Sequence, residues 1–289
     1  MIAERLAFLG PGRAGLSLGY ALWQTGEIGG LTYYGRQSEP PNHPLFTQGA
    51  AEYVFGIDRP VDGTKTVILS VPDDVLAEMA HTLAARGEAP AGCCAFHLSG
   101  SLSTEALSPL HARGYCVGSL HPLVNLANPV TGADRLADAV FAVSGEPEAV
   151  TRGRALVQLL GAKAVQIPVR ARPAYHAAAV MASNYMATLL LAAARMLTQA
   201  GLTQDEALEA LLPLAQGTLE DVGGVGGLRA LVGPVVRGDR ETVALHMRSL
   251  EGPGRELYAA LGRELVRVCV AEGLDTDQAA EILQVLKPV

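Results

Sequence analysis

Short apolar runs alternate with segments of helical periodicity through the first half of the chain. The apolar runs have strand length and predict strands at residues 5–9, 31–34, 66–71, 93–98, 115–120, 140–143 and 164–167. Helical patterns between them predict helices at residues 12–25, 73–86, 103–113 and 147–160. Such alternation is typical of an α/β fold, in which helices cover both faces of a mostly parallel sheet.

The pattern changes near Pro168. Residues 168–173 are rich in arginine and proline, which favours a connector, and almost everything beyond them has helical periodicity. We therefore predict an α/β domain over residues 1–168 and an all-helical domain over residues 169–289.

The most apolar stretch, residues 177–194, is interrupted by Ser183, Asn184 and Thr188. It is a weak candidate for a membrane span, and a wholly buried helix fits it better. The helix over residues 175–196 is apolar on almost every face, more than a small helical domain buries alone. We therefore expect a homodimer built through the helical domain.

Composition and charge narrow the class of protein. The net charge of −7 argues against nucleic acid or an anionic membrane as a partner, and lysine occurs only three times. The four cysteines, at positions 93, 94, 116 and 269, form no C-x-x-C pair, which favours a reducing cytosol. The amino terminus has the pattern of a first strand and not that of a signal peptide. We expect a cytoplasmic enzyme that acts on a small molecule and has no metal site.

A glycine loop follows the first predicted strand. Its residues, Gly10, Pro11, Gly12, Arg13, Ala14 and Gly15, match G-x-G-x-x-G between a strand and a helix. Gly10 permits the tight turn, Gly12 lets a pyrophosphate approach the backbone, and Gly15 lets the helix pack on the strand. This context favours a dinucleotide site over a plain glycine turn.

The end of the second predicted strand indicates which dinucleotide binds. An Asp or Glu that grips the ribose of NAD is expected there, whereas this sequence has Arg36 and Ser38. Both side chains can donate hydrogen bonds to a 2′-phosphate, with Arg13 as a second positive charge, so NADP(H) is the expected cofactor. The alternative for Arg36 is a solvated surface residue. Val71 and Pro72 suit a loop over the cofactor, with the aspartates that follow capping the next helix.

These features together resemble a superfamily of NADP-dependent dehydrogenases that includes prephenate dehydrogenases, ketopantoate reductases, pyrroline-5-carboxylate reductases and 6-phosphogluconate dehydrogenase-like enzymes. The sequence is most similar to Rossmann-like proteins with a helical carboxy-terminal domain of unknown function (DUF2520). The segments that carry this resemblance are 96–101, 118–123, 175–185 and 231–250. The resemblance implies a Rossmann-type domain followed by a helical domain like the carboxy-terminal one of 6-phosphogluconate dehydrogenase.

Two positions resemble the active site of prephenate dehydrogenases. Ser101, after Gly100, resembles a serine beside the nicotinamide, and His121, before Pro122, resembles a histidine that contacts the substrate hydroxyl. His121 also follows a predicted strand at the edge where such sheets bind ligands, and imidazole titrates near neutral pH. A structural role is the alternative for His121. His97 lies within a predicted strand and is expected in the core.

The helical half departs from the related enzymes. Hydroxyacid dehydrogenases and ketopantoate reductases have a catalytic lysine on the first helix of the second domain, with an asparagine one or two turns later. Here His176 stands at the lysine position, Val180 replaces the nearer asparagine, and Asn184 is present. Their i, i+4, i+8 spacing puts them on one helix face. His176 and Asn184 are expected to orient a substrate carbonyl or carboxylate, or else to be buried at a helix or dimer contact.

Further along, Arg237 precedes Asp239, and Thr242 and His246 lie one helical turn apart. Arg237 could grip an anionic substrate, pair with Asp239, or cap helix carbonyls.

The function that these residues favour is an NADP-dependent dehydrogenase or reductase acting on a small carbonyl, imine or hydroxy compound between the two domains. His121 would be its acid, base or hydroxyl-polarising group. A nucleotide-binding sensor that has lost catalysis is the main alternative, since the lysine is absent, and a deazaflavin-linked reductase is another.

Overall fold

The computed structural model describes residues 4–287, and its first half is a doubly wound α/β unit. Eight strands form one sheet in the order β3-β2-β1-β4-β5-β6-β7-β8. Neighbouring strands are parallel except for β6 and β7, which are antiparallel. The strands are β1 (Glu4–Leu9), β2 (Ile28–Gly35), β3 (Ala51–Phe55), β4 (Thr64–Leu69), β5 (Cys94–His97), β6 (Cys116–Leu123), β7 (Val140–Gly145) and β8 (Lys163–Val165).

Helices cover both faces of this sheet. They are α1 (Arg13–Gln24), α2 (Pro44–Thr47), α3 (Asp73–Ala84), α4 (Ser108–His111), α5 (Thr131–Asp134), α6 (Pro147–Leu159) and α7 (Arg172–Val180). One buried cluster includes Phe8, Phe96 and Cys94, and the other includes Leu69, Tyr115 and Cys93. Because adjacent residues of an extended chain point to opposite faces, the two cysteines lie in different cores and form no disulfide. The predicted α/β fold is confirmed.

The structure differs from the prediction in several elements of this unit. The strand β3 was not predicted. It is only five residues long and lies at the edge of the sheet, where an apolar residue such as Phe55 stays exposed, so its apolar pattern is weak. The helix predicted over 103–113 is a 3₁₀ turn, Thr104–Leu107, followed by the short α4. The prediction that His121 follows a strand is wrong: antiparallel pairing with β7 extends β6, and His121 pairs with Ala142 inside it.

The chain divides into two compact units, the first ending at Val180 and the second beginning at Met181. The first unit therefore includes α7, which sequence analysis assigned to the helical domain. The second unit contains a π-helical turn, Met181–Tyr185, and the helices α8 (Met186–Gln199), α9 (Gln204–Asp221), α10 (Arg240–Ser249), α11 (Gly252–Ala271) and α12 (Thr276–Val285). Its buried core includes Val243, Val266 and Ile282.

The apolar helical stretch differs from its prediction. Among the described residues, one helical span, Val169–Gln199, is long and apolar enough to cross a membrane, with a mean hydropathy of 1.5. Only 11% of its apolar window is buried, so the expectation of a wholly buried helix is wrong. Leu189 and Leu191 of α8 are each more than 40% exposed, at 42% and 44%.

Candidate active site

The glycine loop forms a tight turn between β1 and α1. Gly10 has a φ of 96°, and a Cβ there would lie 2.9 Å from the Ser70 carbonyl oxygen. The Ser70 hydroxyl donates a hydrogen bond to the Gly10 carbonyl oxygen at 2.6 Å. A Cβ on Gly15 would collide with the Ser70 side chain, so Gly15 allows the close packing predicted for it.

The amino terminus of α1 presents free backbone N–H groups. Gly12 is the N-cap residue, its backbone is extended, and no side chain caps the helix. Open N–H groups and the positive end of the helix dipole suit a phosphate. A pyrophosphate therefore fits this loop on chemical grounds.

A cleft of about 1050 Å³ extends from the glycine loop along the carboxyl ends of the strands. Of the residues predicted to bind the cofactor, it is lined by Gly10, Pro11, Gly12, Arg36, Ser38, Val71 and Pro72. Arg13, Ala14 and Gly15 are not among its lining residues, and their direct contacts stay a prediction. Two acids, Glu39 and Asp74, line it as well, so this edge is less positive than Arg36 alone suggests.

The turn that carries Arg36 is held by Tyr53 of β3. The Tyr53 hydroxyl donates a hydrogen bond to the Gln37 carbonyl oxygen at 2.8 Å. A Cβ on Gly35 would collide with the Tyr53 ring, so glycine is required where β2 ends. Within the described residues, the exposed Arg36 side chain forms no ion pair, and its guanidinium remains available to a ligand.

Asp73 links this cleft to the loop after β5. The prediction that an aspartate caps α3 is wrong, because Pro72 is the N-cap residue and no side chain caps the helix. Instead, Asp73 Oδ2 accepts hydrogen bonds from the hydroxyls of Ser99 and Ser101, each at 2.7 Å. Ser101, a predicted site residue, is thereby fixed beside the cleft.

His121 and His176 meet at Gly100, between these two serines. A Cβ on Gly100 would lie 2.7 Å from His176 Nδ1 and 2.8 Å from His121 Nε2. His121 Nδ1 shares a hydrogen bond of 2.8 Å with the Tyr175 hydroxyl. His176 Nδ1 is buried and has no partner among the described residues. The structure thus brings Ser101, His121 and His176 together.

Arg172 holds α7 on the sheet. Its side chain is only 2% exposed. Its guanidinium donates hydrogen bonds to the Leu102 carbonyl oxygen at 2.7 Å, the Ser144 hydroxyl at 2.6 Å and the Ser119 hydroxyl. These contacts position Tyr175 and His176 over β6, because both follow Arg172 on the same helix.

Burial keeps His121 and His97 neutral near pH 7. It lowers the pKa of His121 to about 4, with further contributions from His176 and Arg172, while Asp73 acts in the opposite direction. Burial and then Arg172 lower the pKa of His97 to about 4. The expectation that His121 titrates near neutral pH is therefore wrong. His97 is fully buried on β5, as expected of a core residue.

Other predicted residues lie in the second unit. Asn184 is exposed and lies in the π-helical turn. The α-helical spacing that aligned it with His176 does not apply there, because a π-helix has more residues per turn. The role of Asn184 stays a prediction. Asp239 caps α10 by accepting hydrogen bonds from Thr242, and His246 Nδ1 shares one of 2.8 Å with Tyr258. Arg237 lines a separate cavity of about 410 Å³.

The fold and the glycine loop define a Rossmann-type α/β domain. Residues 5–122 match the family model of a Rossmann-like domain, and residues 139–265 match the domain of unknown function DUF2520. The chain is thus a Rossmann-like protein that carries a DUF2520 domain, which confirms the resemblance found in the sequence. No curated protein matches the sequence.

Solved structures share this fold. A Thermotoga maritima protein is 23% identical with a TM-score of 0.70, and the match covers 92% of this chain and 99% of that one. A Bacteroides fragilis protein named as a candidate NADP oxidoreductase is 22% identical with a TM-score of 0.70, over 91% and 98%. A Streptococcus pyogenes 1-pyrroline-5-carboxylate reductase is 17% identical with a TM-score of 0.61, over 99% and 98%.

Three residues of this cluster were not predicted. Arg172 lies in the segment 168–173, whose arginines and prolines indicated a connector, and Tyr175 begins the predicted apolar helix over residues 175–196. Asp73 was assigned to helix capping, which its position after a strand also suggests. Each of the three acts through contacts with residues distant in the chain, and no local spacing in the sequence reveals those contacts.

The neutral histidines predict that acid destabilises the protein. His97 and His121 bind a proton near pH 6.5 in the unfolded chain, but only near pH 4 when folded. Because the unfolded chain binds more protons between these values, the free energy of unfolding should fall as pH drops from about 6.5 to 4, by about 3 kcal/mol per histidine. Denaturation by urea across this pH range measures the effect. His121→Asn should reduce it, and His81→Asn, at an exposed position, should not; identical profiles for the wild type and His121→Asn would contradict the assignment.

Proposed function

We propose that the protein is an NADP-dependent oxidoreductase acting on a small carbonyl, imine or hydroxy compound. The observation that carries this proposal is the continuity of the site. Pro72 and Asp74 line the nucleotide cleft, and Asp73 between them binds Ser101, next to the glycine at which His121 and His176 meet. The name of the Bacteroides fragilis protein and that of the streptococcal reductase agree with this class of reaction.

NADP(H), when bound, would supply or accept the hydride. The glycine loop would hold the pyrophosphate, and Arg36 and Ser38 the 2′-phosphate. His121 is neutral near pH 7, so it would polarise the reacting oxygen through an N–H group and not as an imidazolium. The cytoplasmic location and the absence of nucleic-acid or membrane partners stay predictions, as does a substrate site between the domains that includes Asn184.

Arg36→Ala should weaken NADPH binding by about 1–3 kcal/mol, the contribution of a charge-assisted hydrogen bond, and should barely change NADH binding. Titration calorimetry with both cofactors measures this difference. Arg154→Ala, which removes an exposed arginine from α6, is the matched control and should affect neither cofactor. Equal losses for NADPH and NADH in Arg36→Ala would overturn the NADP preference.

His121→Asn should lower turnover about 10²–10⁴-fold while NADPH affinity stays within a factor of a few. Asparagine keeps the size and one N–H donor but cannot pass a proton through a ring. Turnover is measured with NADPH or NADP⁺ across a panel of small ketones, aldehydes, imines and alcohols. Full activity of the variant would make His121 structural and His176 the next candidate. Stoichiometric NADPH binding with no turnover by the wild type would favour the sensor.

We also propose a homodimer through the helical unit. The support is that α8 leaves large apolar side chains exposed on more than one of its faces, with Met186 and Leu189 on one side and Leu191 on another, and exposed apolar surface of this kind marks an interaction site. Light scattering should give about twice the chain mass at micromolar concentration. Glutamate at both Leu189 and Leu191 should shift the protein to monomers, and a monomeric wild type would contradict the proposal.

A further inference from the structure

We propose that Tyr175 holds His121 in the neutral tautomer that carries its proton on Nε2, so that the site suits a carbonyl oxygen and not a protonated imine. The inference rests on the proposed oxidoreductase function and specifies its substrate class. It also assigns Tyr175 as a positioning residue, which acts on the substrate through His121.

The contact between the two rings is specific. The Tyr175 hydroxyl lies 2.8 Å from His121 Nδ1, and the rings pack edge to face with centroids 5.5 Å apart. Arg172 anchors the helix that presents Tyr175, and the β6–β7 ladder fixes the backbone of His121. Both partners are therefore held by independent parts of the fold.

The hydrogen bond has one favourable direction. Burial raises the pKa of Tyr175, so its hydroxyl keeps its proton near pH 7. Among the described residues, His121 Nδ1 is the hydrogen-bond partner of that hydroxyl. If Nδ1 were the donor, the hydroxyl proton would have no acceptor in this half-buried site, which is costly. Tyr175 therefore donates to Nδ1, and the proton of the neutral ring is on Nε2.

His121 Nε2 faces the backbone of Gly100 and has no hydrogen-bond partner among the described residues. A Cβ on Gly100 would lie 2.8 Å from this nitrogen, so a glycine at this position lets the ring approach the loop after β5. The buried His176 Nδ1 next to it also lacks a partner. A buried polar nitrogen is seldom left unpaired, so a polar group of the substrate is the expected partner of His176 Nδ1, beside His121 Nε2.

The charges near this point distinguish two classes of substrate. A protonated imine carries a positive charge and an N–H donor, so it needs an acceptor or an anion. Asp73 already accepts two hydroxyl donors, and the Arg172 guanidinium adds a positive charge to the site. A carbonyl oxygen accepts a hydrogen bond and becomes negative when the carbon is reduced. The Nε2–H donor and the positive charge both stabilise that product.

His121 and Tyr175 can supply the proton that carbonyl reduction requires. A bound dihydronicotinamide would supply the hydride to the carbonyl carbon; the C=O π electron pair would move to the oxygen, and the oxygen takes the Nε2 proton. Nδ1 takes the Tyr175 proton in the same step, so the ring stays neutral. The tyrosinate left behind is stabilised by Arg172, which opposes the rise in the pKa of Tyr175. It takes its proton back from Nδ1, and Nε2 regains a proton from water, which restores the starting tautomer. The net change is one carbonyl reduced, one dihydronicotinamide oxidised and one proton taken from solvent.

The tautomer can be tested without turnover. Two-bond ¹H–¹⁵N spectra at pH 7 should show His121 with a protonated Nε2 and an unprotonated Nδ1. Tyr175→Phe should convert this pattern to averaged tautomers, and Tyr258→Phe, which removes the His246 partner in the second unit, should leave the His121 signals unchanged. A proton on Nδ1 of the wild type, or no change in Tyr175→Phe, would overturn the inference whatever the activity.

Kinetics test the substrate class. Tyr175→Phe should lower kcat for ketones or aldehydes about 10–100-fold, with NADPH affinity unchanged and KM within a few-fold; Tyr258→Phe should keep wild-type rates. Wild-type turnover of preformed imines equal to or faster than that of the matching carbonyls would overturn the carbonyl assignment. A wild type with the expected tautomer and bound NADPH, but with no turnover of either class, would contradict the proposed function while supporting the role of Tyr175.

Discussion

The candidate site depends on the hydrogen bonds that the buried guanidinium of Arg172 donates. Burying a cation is costly unless its hydrogen bonds are satisfied. Here the Nε of Arg172 has no hydrogen-bond partner among the described residues, whereas neutral acceptors from the loop after β5, from β6 and from β7 bind its two terminal nitrogens. The helix α7 is thereby held on the sheet, and with it the rings of Tyr175 and His176. The same charge adds to burial, the main cause, in opposing protonation of His97 and His121, so Arg172 contributes to both the geometry and the neutrality of these residues.

Much of the α/β fold could be predicted because its signals are local. Adjacent residues determine the glycine turn at Gly10–Gly15, with the strand before it and the helix after it. The apolar run in β4 has the length of a strand and is short for a helix. The errors arise where tertiary pairing decides the structure. His121 was placed after a strand because its own sequence ends the apolar run, but β7 pairs with it in the antiparallel direction. An edge strand such as β3 has too weak a pattern to stand out.

The candidate site could be predicted only in part, for a similar reason. Arg36, Ser101 and His121 were found by their position after apolar runs or by resemblance to known motifs. Asp73 and Arg172 were not, because each acts through contacts with residues distant in the chain, such as Ser99 and Ser144. The neutrality of His121 is also a tertiary property, since burial is its main cause. An isolated imidazole titrates near neutral pH, and its sequence neighbours do not change that expectation.

The second histidine–tyrosine pair shows that environment, and not residue type, makes the first pair a candidate for catalysis. His246 and Tyr258 share a hydrogen bond of the same 2.8 Å length and a similar edge-to-face packing. That pair joins α10 to α11 and, within residues 4–287, has no glycine loop or unpartnered second histidine beside it. His121 instead presents Nε2 at Gly100, adjacent in sequence to a serine that is tied through Asp73 to the cleft beside the glycine loop. The role proposed for His121 therefore depends on the position of its Nε2 atom.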